Sequence, residues 1–160
     1  MNVIDELRRT DREPLRRLLA ETGYFNEEEI VIALELIDVA LDRPGQEDYV
    51  IRVCRDGDAV CGYYCVGPTP ATESTYDLYW IAVAPSMHGK GIGTALITHA
   101  EQLISSFGGR LVVAETSSRP QYDKTRRFYQ SCGYNELARI KGYYRPGDDL
   151  VVFGKYLSQL

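Results

Sequence analysis

The decisive stretch of this sequence is Met87-His88-Gly89-Lys90-Gly91-Ile92-Gly93-Thr94, which lies between a predicted strand and a predicted helix. Its three alternate glycines allow the backbone to approach a ligand without interference from Cβ atoms. The first turn of a helix presents unpaired N–H groups and a partial positive charge. Together these features predict a binding site for an anion, and phosphate is the natural candidate.

Three other glycine motifs do not fit this stretch. The dinucleotide fingerprint G-x-G-x-x-G would require a glycine at Thr94 or at Leu96, and the P-loop and the hydrolase pattern G-x-S-x-G do not occur. The plain alternative is a tight turn that needs glycine only for its geometry. Three alternate glycines exceed what such a turn requires, so a phosphate site is favoured.

The elements around the glycine turn predict a parallel pair of strands. A strand over 75–83 precedes the turn and a helix over 91–107 follows it. Gly108 and Gly109 end this helix, and the apolar run at 111–114 indicates a strand buried on both faces. A strand, helix and strand in this order form a parallel pair through a right-handed crossover. One apolar stripe along the helix consists of Leu96, Ile97, Ala100, Leu103, Ile104 and Phe107.

The remaining elements are predicted as helices and mainly antiparallel strands. The hairpin signal Asp56-Gly57 separates strands at 49–54 and 59–66. Asn26 is a suitable helix cap, because the glutamates that follow it favour the positive end of the helix dipole. Further strands are predicted over 3–7, 136–142 and 150–157, and further helices over 11–21 and 123–131.

We therefore predict an α/β fold in a single domain over 1–160. Its sheet is mixed, mostly antiparallel and of about seven strands, with helices on both faces. Strands 4 and 5, at 75–83 and 111–114, form its central parallel pair. The chain has 160 residues, 44% hydrophobic and 26% charged, which are values typical of one globular domain.

Charge, histidine and cysteine content exclude several classes of function. The formal net charge of −5 argues against nucleic-acid binding through bulk charge and favours a cationic partner. With only His88 and His99, the chain cannot build a multi-histidine metal site, and we expect no metal. No apolar run reaches the ~18 residues of a membrane span. The sequence starts without a signal-peptide pattern and its cysteines form no C-x-x-C pair, so we expect reduced thiols in the cytoplasm.

Three motifs in order resemble the GNAT family of N-acetyltransferases. The segment from His88 to Gly93 is similar to the Q/R-x-x-G-x-G/A signature of that family, with histidine where glutamine or arginine is usual. The segment from Trp80 to Pro85 is similar to the strand that precedes the signature. The segment from Arg127 to Tyr134 resembles the FYxxxGF segment of the family at the expected distance. The order of elements matches over nearly the whole chain.

The resemblance implies that acetyl-CoA binds as a cosubstrate in a V-shaped gap between strands 4 and 5. Its pantetheine would pair with the backbone of the strand before the turn, and its pyrophosphate would lie on the glycine turn. Tyr122 stands where many members carry an asparagine that contacts pantetheine. The implied cofactor-binding residues are Ile81, Ala82, Val83, His88, Gly89, Lys90, Gly91, Ile92, Gly93, Thr94, Tyr122, Thr125 and Arg126.

Acetyl transfer to an amine needs a proton acceptor for the amine and a proton donor for the departing thiolate. Asp77 is one candidate base, because strict alternation would place it on one face of its strand with Ile81 and Val83. Glu115, at the end of an apolar run, is the other. A base reached through ordered water, or no dedicated base, remains open. Tyr129 is the candidate acid, since the family places this tyrosine beside the CoA sulfur.

The resemblance also implies where the acceptor binds: between the first two helices and at the last hairpin. Aromatic and acidic residues there suit a cationic amine. The candidate substrate residues are Tyr24, Phe25, Tyr79, Tyr143 and Tyr144. The predicted function is acetyl transfer to a primary amine of a small molecule or peptide, by direct attack in a ternary complex. The alternatives are a non-catalytic acyl-CoA sensor and an acetyltransferase for protein N-termini or lysines; a homodimer stays open.

Overall fold

One seven-stranded sheet organises residues 1–157, which are the residues that the computed structural model describes. Within the same residues, four α-helices pack against it. The strands are β1 (Asn2–Glu6), β2 (Val50–Asp56), β3 (Ala59–Pro68), β4 (Thr75–Val83), β5 (Leu111–Ser117), β6 (Asn135–Arg145) and β7 (Asp148–Tyr156). The helices are α1 (Arg12–Glu21), α2 (Glu27–Asp42), α3 (Ile92–Ser106) and α4 (Asp123–Ser131).

The strand order is β1-β2-β3-β4-β5-β7-β6, and only β4 and β5 are parallel. This arrangement confirms the predicted mixed sheet and its central parallel pair. The β4–β5 pairing runs from Thr75 opposite Leu111 to Asp77 opposite Val113. Beyond these residues β4 continues to Val83 and β5 to Ser117 outside that pairing, so the two strands part at their carboxyl ends.

The helices cover both faces of the sheet, as predicted. On one face, α3 packs through Leu96 and Ile104 into a core that also contains Phe153 of β7. On the other face, α1 and α2 pack through residues such as Leu15 and Ile37. Each fully buried side chain of this size contributes about 1.5–3 kcal/mol to folding. The two cores hold β4 from both faces, so its carboxyl end has a defined position.

A β-bulge interrupts β4 at Tyr79. Cys65 of β3 lies opposite Trp80, whereas Val66 lies opposite Leu78, so Tyr79 is an extra residue on β4. The bulge reverses the alternation of side chains along the strand. The side chains of Leu78 and Ile81 therefore both lie on the face of the sheet that α3 covers. The prediction that Asp77 shares a face with Ile81 and Val83 is wrong, because that prediction assumed unbroken alternation.

Most predicted elements are confirmed, and the differences lie at their ends. The strand predicted over 111–114 extends to Ser117, and that predicted over 136–142 extends to Arg145. β5 stays paired with β7 through Glu115, Thr116 and Ser117, and β6 pairs with β7 again at Arg145 after a register shift. Apolar periodicity gives no signal at these polar residues. No helix within residues 1–157 is both long and apolar enough to cross a membrane. Within those residues, no three histidine, cysteine or acidic side chains come together to hold a metal ion.

Asn26 caps α2 as predicted, and its loss should destabilise the fold. Its side chain accepts a hydrogen bond from the N–H of Glu29 at 2.9 Å, and the Glu29 side chain accepts one from the N–H of Asn26 at 3.3 Å. We expect Asn26→Ala to lower the free energy of unfolding by about 1 kcal/mol. Urea unfolding measures this change, and Asn26→Asp, which keeps an acceptor, is the matched control. Equal losses in both variants would contradict the role of the cap.

Candidate active site

A cavity of about 1150 Å³ opens where β4 and β5 part. The carboxyl ends of these two strands line it, together with the start of α2, the glycine turn and α4. Ligands of open α/β sheets bind in this position, outside the carboxyl ends of parallel strands. Of the predicted site residues, the cavity is lined by Tyr24, Phe25, Tyr79, Ile81, Ala82, Val83, His88, Gly89, Gly91, Ile92, Gly93, Thr94, Glu115, Tyr122, Thr125, Tyr129 and Tyr144.

The glycine turn has an open surface towards this cavity. Gly91 precedes α3 with φ +78°, in the left-handed region, and Gly89 has φ +77°. A Cβ atom built on either glycine meets nothing within 4 Å. No side chain caps the start of α3, so the N–H groups of its first turn are free of a capping group within the described chain. We call residues 89–94 the glycine cradle; its shape and polarity fit a pyrophosphate.

Gly93 has a different role in the glycine cradle. A Cβ atom there would lie 3.2 Å from the Phe128 ring of α4, so the glycine permits close packing of α3 against α4. This contact brings α4, with Tyr129, next to the cradle.

His88 attaches the glycine cradle to β4. Its Nε2 lies 3.0 Å from the carbonyl oxygen of Val83, and it must donate because a carbonyl oxygen only accepts. Lys90, by contrast, is absent from the residues that line the cavity, and its Nζ lies 3.7 Å from the sulfur of Met87. His88 therefore lines the cavity, and Lys90 lies outside the cavity lining.

Tyr129 lies on α4 and faces the cavity from a buried position. Only 5% of its surface is exposed, and its ring packs against Tyr134 and Phe153 with centroids 5.7 Å apart in both cases. Burial raises the pKa of Tyr129 above its usual value, so the phenol keeps its proton at neutral pH. This combination of a rigid ring and a protonated hydroxyl suits a proton donor.

The two candidate bases lie in different environments. Glu115 occupies an exposed position of β5 and lines the cavity. Asp77 does not line it, and its carboxylate accepts a hydrogen bond from Thr69 Oγ1 at 2.8 Å. Of the two carboxylates, only Glu115 lines the cavity, and the role of each as a base stays a prediction.

We call the part of the cavity around Tyr24, Phe25, Glu28, Glu29 and Tyr144 the acceptor end. Glu28 and Glu29 belong to the first turn of α2. Tyr143 does not line the cavity; its ring packs edge-on against Tyr144 at 5.0 Å and supports it.

Tyr122 connects the acceptor end to α4. The Tyr122 hydroxyl donates to the carbonyl oxygen of Tyr24 at 3.2 Å, and the two rings lie 6.2 Å apart. Burial, followed by the charge of Glu29, raises the pKa of Tyr122 above its usual value.

Tyr79 and Tyr144 also keep their protons at neutral pH. Burial raises the pKa of Tyr144 to about 12, and the negative charge of Glu115 adds to the effect. Burial also raises the pKa of Tyr79 to about 12, with a further contribution from Asp77. Both phenols are therefore neutral hydrogen-bonding groups beside the cavity.

Arg126 does not line the cavity, although the sequence suggested a cofactor contact. Its guanidinium donates to the carbonyl oxygens of Ser117 at 2.5 Å and Arg119 at 3.1 Å. It therefore holds the connection between β5 and α4, which carries residues of the site.

An ion-pair network beside this connection was not predicted. Asp148 is buried at the start of β7 and accepts a hydrogen bond from Ser117 Oγ. Arg119 lies 3.1 Å from its carboxylate, and both residues line the cavity. The sequence marks Asp148 only as part of a Pro-Gly-Asp turn, and no local signal indicates its burial.

Comparison with known proteins gives a consistent result. The family description "Acetyltransferase (GNAT) domain" matches residues 47–136. No curated protein matches the sequence. A crystal structure from Desulfovibrio desulfuricans, assigned to the GNAT acetyltransferases, is 39% identical with a TM-score of 0.96, covering 99% of this chain and 100% of that one.

More distant structures share the fold. An N-acetyltransferase from Escherichia coli that acts on a ribosomal-protein alanine is 20% identical with a TM-score of 0.79, covering 100% of this chain and 96% of that one. An aminoglycoside 6'-N-acetyltransferase complexed with coenzyme A is 17% identical with a TM-score of 0.77, covering 99% of this chain and 98% of that one. Because the family match spans more than half of the chain, and a 39% identical relative shares the fold over nearly its whole length, this protein belongs to the GNAT family and is an acetyltransferase.

Proposed function

We propose that this protein transfers the acetyl group of acetyl-CoA to a cationic primary amine. The observation that carries the proposal is that three features line one cavity: the open glycine cradle, the buried residue Tyr129 and the exposed residue Glu115. Each feature supplies one requirement of the reaction, namely cofactor binding, a proton donor and a proton acceptor.

The site has the groups that acetyl-CoA would need. The glycine cradle would hold the pyrophosphate through backbone N–H groups. Beyond Asp77, β4 pairs with β3 on one edge but not with β5 on the other, so its outer backbone groups could pair with the pantetheine amides. Lys124 also lines the cavity and could contact a phosphate. When bound, acetyl-CoA supplies the acetyl group as a reactive thioester.

Glu115 and Tyr129 would handle the protons of a direct transfer. An alkyl amine with a pKa near ~10.4 is mostly protonated at neutral pH. Glu115, directly or through water, takes one proton so that the nitrogen lone pair can attack the acetyl carbonyl carbon. The C–N bond forms as the C–S bond breaks, and Tyr129 gives its proton to the departing sulfur. The nitrogen then loses its second proton to water, which returns a proton to Tyr129, and Glu115 releases the first proton to solvent.

The acceptor end favours a positive charge. The carboxylates of Glu28, Glu29 and Glu115 line the cavity, and none of them forms an ion pair within the described chain. The ring of Tyr24 can add cation–π attraction to a protonated amine, whereas the guanidinium of Arg119 already lies over the Tyr122 ring at 5.7 Å. Glu29 also belongs to the cap of α2, so its structural contribution must be separated by experiment.

The test is calorimetry with acetyl-CoA, with free CoA and ATP as controls, followed by thiol release with amine acceptors. We expect micromolar binding of acetyl-CoA, no response to ATP, and thiol release with small polar amines. Peptides with free N-termini or lysines form a second panel; turnover confined to it would favour a protein-modifying enzyme. Binding without turnover in either panel would favour a sensor, although Tyr129 argues against that function. No binding would overturn the proposal.

The two candidate bases are distinguished by paired variants. We expect Glu115→Gln to lower kcat/KM about 100-fold at neutral pH, because an amide cannot take a proton, and the loss should shrink as the pH rises towards the pKa of the amine. Asp77→Asn keeps its bond to Thr69 and should stay within about twofold of the wild-type rate. Initial rates between pH 6 and 9 measure both effects. A larger loss in Asp77→Asn would reverse the assignment, and unchanged rates in both would indicate an ordered water or no dedicated base.

A further inference from the structure

The last hairpin contains a four-residue bulge that the core does not support. Ile140 of β6 lies opposite Leu150 of β7, and Arg145 lies opposite Asp148. Residues 141–144 therefore face the single residue Asp149, and we call them the 141–144 bulge. Every residue of β6 is exposed, so packing does little to hold the bulge.

A hydrogen bond from Gly142 to the Asp149 carboxylate holds this bulge instead. The Asp149 Oδ1 accepts from the N–H of Gly142 at 2.9 Å, and its Oδ2 accepts from Arg139 at 3.2 Å. Gly142 has φ +61°, so glycine permits the sharp turn that points its N–H at the carboxylate. The Gly142 N–H, Arg139 and Lys141 lower the pKa of Asp149, so it is an anion at neutral pH.

Asp149 also joins the bulge to the segment that follows β5. Its N–H donates to Ser118 Oγ at 2.8 Å, and its carbonyl oxygen accepts from the Ser118 N–H at 3.0 Å. Ser118 lies between Ser117 and Arg119, which both line the cavity. The bulge ends in Tyr144, which also lines the cavity. Asp149 therefore connects two segments that line the cavity.

We propose that Asp149 is a positioning residue for the acceptor: by holding the 141–144 bulge, it sets the place of Tyr144 at the acceptor end. This inference rests on the proposed function. Asp149 does not line the cavity, so it acts on the substrate only through Tyr144. Its loss should weaken acceptor binding and leave acetyl-CoA binding intact, because the glycine cradle lies on α3 and not on the hairpin.

The test compares Asp149→Ala with Asp149→Asn and Arg139→Ala. We expect Asp149→Ala to raise KM for the amine about tenfold with kcat and KM for acetyl-CoA nearly unchanged, the pattern of lost ground-state binding. Asp149→Asn keeps an oxygen that can accept from Gly142 and should restore most of the affinity. Arg139→Ala removes the other partner of the carboxylate, leaves the Gly142 contact and should behave like wild type.

A double variant separates positioning from general destabilisation. If Asp149 acts through Tyr144, Asp149→Ala should add little to the effect of Tyr144→Ala on KM. Two results would overturn the assignment of Asp149 but not the proposed function. One is full additivity of the two effects on KM, and the other is an unchanged KM in Asp149→Ala when the wild type turns over an amine. A wild type that turns over no amine or peptide would overturn the proposed function and this assignment with it. Thermal unfolding of each variant shows whether it is folded.

Discussion

Replacing Tyr129 with phenylalanine should lower kcat about 100-fold and leave the affinity for acetyl-CoA unchanged, because general acid catalysis typically contributes this much. The substitution removes only the hydroxyl. The ring contacts with Tyr134 and Phe153 remain, so the packing of α4 is preserved. Stopped-flow or steady-state thiol release gives kcat, and calorimetry gives the dissociation constant of acetyl-CoA.

Tyr134→Phe is the matched control for this experiment. Tyr134 is buried beside Tyr129, and its hydroxyl has no hydrogen-bond partner in the described chain. It does not line the cavity, so its loss should leave kcat within about twofold of wild type. Equal kcat values for the two variants and the wild type would remove Tyr129 as the acid.

Replacing Gly91 with valine should weaken acetyl-CoA binding about 100-fold or more, a loss of about 2.7 kcal/mol. The Cβ position of Gly91 is free of protein atoms within 4 Å, so a new side chain would project into space that the pyrophosphate needs. The positive φ adds backbone strain of about 1–3 kcal/mol, which a domain of ordinary stability tolerates. Calorimetry with acetyl-CoA measures the loss.

Gly108→Val controls for the strain in that variant. Gly108 follows α3 at the end remote from the glycine cradle, has φ +82°, and its Cβ position is also open. Both variants should lose similar stability in thermal unfolding, and only Gly91→Val should lose the cofactor. Normal acetyl-CoA affinity in Gly91→Val, or an equal loss in both, would contradict the glycine cradle.

The sequence predicted most reliably the elements whose signals are local. Thr75–Val83 and Asp123–Ser131 have the predicted bounds, because a turn or a cap marks each end. The cap at Asn26 and the glycine cradle also depend on neighbouring residues alone, and both lie where they were expected. The order of these elements was sufficient to predict the parallel pair in the centre of the sheet.

The error at Asp77 and the unpredicted burial of Asp148 both come from contacts between residues far apart in the chain. The bulge at Tyr79 depends on the register with β3, and it moves Asp77 away from the face of Ile81 and Val83. Nothing in the residues 75–83 alone indicates this extra residue. The burial of Asp148 likewise depends on Ser117 and Arg119, far away in the chain.

The sequence by itself determined the mixed sheet, the family resemblance and the glycine turn, since periodicity, capping and glycine conformations act over a few residues. Only the tertiary structure decided which carboxylate lines the cavity, that Arg126 supports a loop, and that Asp149 accepts a hydrogen bond from the 141–144 bulge. The first feature depends on the register of strands, and the other two depend on hydrogen bonds between residues seven to nine positions apart, which no helix or strand periodicity predicts. Such contacts form only when the two cores have fixed the sheet between them.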